Sequence, residues 1–183
     1  MAKVKPKFRE GEQRTFKPNL TRINTFKNAY TLASLGASRT VLENYCHVDK
    51  YIEMKIELRL KLFRAGNRWI LTDRLGRLHA NIIYRMYITT IRENAELHRM
   101  ITAEELIFLA STYLKQYQMK KADANRIHYM FVNIREGIWC IKPCVNCGAR
   151  HVYHCEDDLA KCCPFCENAS RLFLRSIHTN PNK

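Results

Sequence analysis

The chain has 183 residues, enough for one domain with a small appended module and a sizeable core. A hydrophobic share of 46% and an aromatic share of 10% exclude a chain disordered throughout. Lys and Arg number 31 against 17 Asp and Glu, a net charge of +14, which draws polyanions, nucleic acid before membrane phosphates.

No apolar run nears the ~18 residues that cross a bilayer, and residues 1–9 alternate charge with small side chains and lack a signal-peptide core. We therefore expect a cytoplasmic protein with no membrane partner. In a reducing compartment its 8 cysteines, crowded between Cys140 and Cys166 apart from Cys46, point to metal rather than to disulfides.

Residues 1–27 read as a basic arm, with Lys3, Lys5, Lys7, Arg9, Arg14, Lys17, Arg22 and Lys27 against Glu10 and Glu12, broken by Pro6 and Pro18. It is either a solvated tail or an arm that enters a minor groove. A helical DNA- and partner-binding body is expected over 28–138. Ala29, Leu32, Ala33, Leu35 and Leu42 predict a helix over 28–45, with Gly36 inside it. A second helix follows over 49–64, capped by Asp49, with Ile52, Ile56, Leu60 and Phe63 on one stripe and Tyr51, Lys55 and Arg59 on another face. Met54, Leu58 and Leu62 give it a second apolar stripe, which a partner helix or this chain itself could cover. The pair suits a helix-turn-helix and an ordinary helical hairpin equally well.

Arg59, Lys61, Arg64, Arg68, Arg74 and Arg77 then cluster around Asn67, Trp69, Gly66 and Gly76, which reads as a basic loop able to clamp phosphates. With Lys55 these are the candidate DNA contacts. Three more helices are expected: about 81–97 through Ile83, Met86, Tyr87 and Ile91; 103–118, with Thr102 and Glu105 as a capping box; and 123–136, stopped by Gly137. Tyr113, Tyr117 and Tyr129 fall at core spacings. His79, His98 and His128 lack acids at catalytic spacing, and no phosphate-loop, GxSxG or HExxH motif occurs, so no enzyme is expected.

The strongest signal is Cys144-Val145-Asn146-Cys147-Gly148 followed by Cys163-Pro164-Phe165-Cys166, a CxxC…CxxC pattern for a zinc ribbon over 139–168. Each pair lets a tight turn aim two sulfurs at one point, and four thiolates suit one structural Zn²⁺ in a closed tetrahedral site. Gly148 permits a positive φ after the second ligand. Lys142, Arg150 and Lys161 can offset the net −2 of such a site. Cys140, Cys155, Cys162, His151 and His154 remain alternative ligands, and an iron–sulfur cluster an alternative group. A strand is expected over 149–153, a turn over 156–158, and a basic tail over 169–183.

Leu35-Gly36-Ala37 leading into a helix pair, His79-Ala80 opening a long helix, and Arg135-Glu136-Gly137 running into CxxCG…CxxC together resemble the FlhC family of bacterial transcription activators. The likeness covers about 30–166. It implies that Cys144, Cys147, Cys163 and Cys166 bind zinc. It also implies an activator in the bacterial nucleoid that joins an FlhD-like helical subunit, as a hetero-hexamer, binds double-stranded promoter DNA and recruits RNA polymerase. The basic segment 64–77 stands where flagellar members have a proline-rich stretch, which leans towards the SetC and AcaC type that activates conjugative transfer. A ribosome-associated, RNA-binding zinc ribbon would share the charge and the cysteines but would carry exposed aromatics for stacking. A zinc-stabilised adaptor would spread its charge evenly.

Overall fold

A computed structural model describes residues 20–46, 68–91, 99–156 and 162–167. The chain is mainly helical: α1 (Leu20–Ser34), α2 (Arg39–Cys46), α3 (Arg68–Leu71), α4 (Arg74–Thr90), α5 (Ala103–Gln116) and α6 (Ala124–Arg135) precede a hairpin of β1 (Trp139–Pro143) and β2 (Arg150–His154). Among the described residues no helix is long and apolar enough to cross a membrane. The expected helix at 49–64, and with it the helix-turn-helix, lies outside the described residues.

The helix expected over 28–45 is two helices. Gly36 takes a φ of 90°, and the Ala37 amide donates to Leu32 O at 2.9 Å while the Gly36 amide donates to Ala33 O at 3.0 Å, a Schellman closure of α1. A Cβ at Gly36 would also meet Asp123 Cβ at 2.9 Å, so the corner is shaped by the cap of α6. Apolar spacing runs through the break because α1 and α2 bury into the same core. The expected arm is shorter too, since 20–27 belong to α1; charge alone does not unmake a helix once Pro18 is passed.

The segment 68–77 is not a loop. Asp73 accepts from the Leu75 amide and caps α4, which begins at Arg74 rather than near 81, so His79 and Ala80 lie inside the helix. Gly76 reads as a loop residue, yet it is helical because a Cβ there would fall 1.8 Å from Trp69 O: α3 folds back onto the first turn of α4. α5 starts with the expected capping box, Thr102 Oγ1 accepting from the Glu105 amide and Glu105 from the Thr102 amide. Asp123 caps α6, and Gly137, at φ 74°, ends it.

Leu32, Ile83, Leu106, Leu109, Ile127 and Met130 are fully buried where α1, α4, α5 and α6 meet. Tyr113, Tyr117 and Tyr129 pack in or against this core, as their spacing suggested. Two histidines are core residues paired to tyrosines: His79 Nδ1 lies 2.8 Å from Tyr113 Oη and His128 Nδ1 2.8 Å from Tyr45 Oη. The hairpin, in register from Trp139↔His154 to Pro143↔Arg150, joins the same core through Trp139 and Val152. The boundary expected at 138 is therefore not a gap in packing.

Candidate metal centre

The sulfurs of Cys144, Cys147, Cys163 and Cys166 all lie within 4.8 Å of one another. β1 delivers the first pair. Beyond Pro143 the chain turns, with the Gly148 amide donating to Cys144 O at 2.8 Å, the Cys144 amide to Ala149 O at 2.9 Å, and Gly148 at φ 70°. Of the second pair, Cys163 precedes one helical turn over 164–167 and Cys166 lies within it, while Pro164 occupies its first position and needs no amide donor. Backbone amides point at the sulfurs: Cys163 N–H to Cys144 Sγ at 3.2 Å and Cys166 N–H to Cys163 Sγ at 3.5 Å. Cys144 and Cys163 are buried, Cys166 is half-buried and Cys147 exposed.

This geometry fits a tetrahedral metal ion. Four sulfurs at about 2.3 Å from a common centre stand about 3.8 Å apart, and Cys147 Sγ and Cys163 Sγ are 3.7 Å apart. Burial works against ionising Cys144, but the amides of Cys163, Cys147 and Asn146 hold it down to about 6. Burial pushes Cys163 up, and the thiols of Cys147 and Cys163 push Cys166 up to about 12. Sulfurs this close cannot all become thiolates unless a cation neutralises them. All four positions of such a site are taken by protein, which leaves none for a reacting water.

The alternative ligands lie elsewhere. The Cys140 thiol points at Gly137 O, 3.5 Å away, His154 Nδ1 accepts from the Glu156 amide at 3.2 Å, and none of Cys155, Cys162 and His151 joins the sulfur cluster. Of the charges expected to offset the site, Lys142 Nζ sits 4.0 Å from the centre of the Tyr153 ring and Arg150 is exposed, while Lys161 lies outside the described residues.

Three contacts fix this centre to α4. Asn81 Nδ2 donates to Val152 O at 3.0 Å and the Val152 amide donates to Asn81 Oδ1 at 2.8 Å, a buried two-way bond to the hairpin. Arg74 reaches Glu167, Nε to Oε1 at 3.5 Å and Nη2 to the carbonyl at 3.4 Å, and the Arg85 guanidinium lies 5.5 Å from the centre of the Phe165 ring. Asn81 was missed by sequence reading; a lone Asn in a helix carries no signal until its partner is known.

Of the candidate DNA contacts, Lys55, Arg59, Lys61 and Arg64 lie outside the described residues. Arg68 is exposed on α3, whereas Arg74 and Arg77 are half-buried on α4, Arg74 turned towards the second cysteine pair. The structure also brings in a segment that sequence reading passed over. Lys121 Nζ is 2.7 Å from Asp73 Oδ2, and the Arg126 guanidinium lies 5.3 Å from the centre of the Trp69 ring, so the loop after α5 abuts the α3–α4 corner. Compared with family models and with curated proteins, the chain matches none.

Proposed function

We propose that the chain is a DNA-binding subunit of a bacterial transcription activator resembling the FlhC family, with one structural Zn²⁺ at Cys144, Cys147, Cys163 and Cys166. The observation that carries this reading is a four-cysteine cluster at the end of a hairpin that packs on a helical body, in a chain with a net charge of +14. A closed thiolate site contributes folding free energy rather than catalysis, and a charge of that size suits a phosphate backbone. Zinc is the ion of choice because it is tetrahedral and takes sulfur without redox change.

A protein partner of the FlhD kind is part of the proposal. Ile23, Phe26 and Tyr30 stand exposed on one face of α1 at the i, i+3, i+7 spacing by which helices dock into apolar grooves, and that supports an assembly with another protein. Recruitment of RNA polymerase to conjugative-transfer or flagellar promoters is what the resemblance adds. Co-expression with an FlhD-like helical subunit should yield one complex that binds promoter DNA more tightly than this chain alone. Equal binding by the chain with and without it contradicts the hetero-oligomer.

One observation favours a second reading, that of an RNA-binding protein: Phe26 and Tyr30, 45% and 60% exposed, flank Lys27 as a base-stacking surface would. Competition between duplex and single strands separates the two, with duplex preferred on the first reading and single-stranded RNA on the second.

A further inference from the structure

We infer that Arg68, Lys120 and Lys121 form one phosphate-binding surface for duplex DNA, assembled at the α3–α4 corner from two stretches far apart in sequence; this rests on the nucleic-acid reading above. Two links hold the stretches together. The Lys121–Asp73 ion pair, 2.7 Å, ties the loop after α5 to the cap of α4. Arg126, over Trp69 and donating from Nη1 to Lys121 O at 2.5 Å, braces the same loop from beneath. The Lys121 amide also donates to Tyr113 Oη at 2.9 Å, so the loop is anchored in the core. Lys121 and hydrogen bonds from the Gly76 and Leu75 amides hold the Asp73 carboxyl below the usual carboxylate range despite some burial.

The surface therefore has a fixed frame with accessible cations at its edge. Arg68 and Lys120 are exposed, and Lys121 keeps about a third of its side chain accessible (31%) beside them. Of the described acids at this corner, Asp73 is engaged with Lys121 and the helix cap, and Asp123 is buried as the cap of α6. Among the described residues the corner presents no open aromatic face: Trp69 is 6% exposed and Tyr117 is stacked on Tyr113 with ring centres 5.3 Å apart. Charge without a stacking platform suits the regular phosphates of a duplex better than splayed bases. Met119 and Leu71 border the patch as exposed apolar side chains, which can rest on deoxyribose but read no sequence.

The test uses the full zinc-loaded chain, a random-sequence DNA duplex and a single strand of equal length, with affinity measured by fluorescence anisotropy across a salt series. Replacing Arg68 and Lys120 together with Ala, both exposed and outside the core, should make the log–log salt slope shallower by about 1.8, roughly 0.9 for each phosphate contact. Duplex affinity at low salt should fall at least about tenfold on every sequence, while zinc content and helicity stay unchanged. Arg39→Ala, whose guanidinium is engaged with Glu43 on α2, should leave the slope unchanged. A double variant with the wild-type slope, or one impaired on the single strand alone, overturns the assignment. A wild-type chain that binds neither nucleic acid overturns the nucleic-acid reading itself.

Discussion

Cys147 is the exposed member of the sulfur cluster, and its hydroxyl analogue offers a poor metal ligand without disturbing the packing around Cys144 and Cys163. Cys147→Ser should therefore lose most of its bound zinc and melt earlier, read by metal analysis and thermal denaturation; unchanged metal content contradicts the ligand set. His128 tests the core instead. Burial first, then the charge of Arg135, hold its pKa at about 4 beside the Tyr45 hydroxyl. The folded value lies below the unfolded value of about 6.5, so the fold prefers the neutral ring. Stability is intact above pH 6.5 and falls as the pH drops towards 4, by about 3 kcal/mol at most. Denaturant titrations of wild type and His128→Gln between pH 7.5 and 5 should give a shallower pH dependence in the variant. Equal slopes would place His128 in water. The two CxxC pairs, the capping residue Thr102 and the stop at Gly137 were legible because each acts through near neighbours in sequence. The partners of Arg74 and Asn81 were not, because Glu167 and Val152 lie far along the chain.

Helix α4 is the element that organises the molecule: α3 crosses its first turn, the hairpin hangs from Asn81, and the second cysteine pair leans on Arg74 and Arg85. Asn81→Leu fills the space but strands the peptide groups of Val152 in the core, at a cost of about 3 kcal/mol, measurable by chemical denaturation. A loss below about 1 kcal/mol would mean water replaces the amide. Gly76→Ala drives a methyl into Trp69 O and should cost at least as much. Sequence reading placed α5 and α6 closely because cap, stripe and stop agree there. It misplaced the start of α4 because two glycines and a run of arginines outweighed Asp73. A glycine needed for close approach inside a helix looks, one-dimensionally, like a glycine that ends one.

At the scale of the whole molecule the hairpin that leads into the cysteine cluster and the helical body share one core, since Trp139 packs 5.9 Å from Trp69 and Val152 is buried against α4. Chelation should then act unevenly. Amide exchange over 162–167 should accelerate strongly, while 139–154 stays largely protected by the hairpin bonds and the core; equal loss in both would make the ribbon an independent metal-dependent module. The appended-module picture arose because a CxxC…CxxC segment reads the same whether it folds alone or against a neighbour. The metal is read most directly by native mass spectrometry of the purified chain, with metal analysis naming the ion. One zinc per chain, lost in Cys147→Ser, is the expected result, and a metal-free chain that is folded and retains its duplex binding would contradict it.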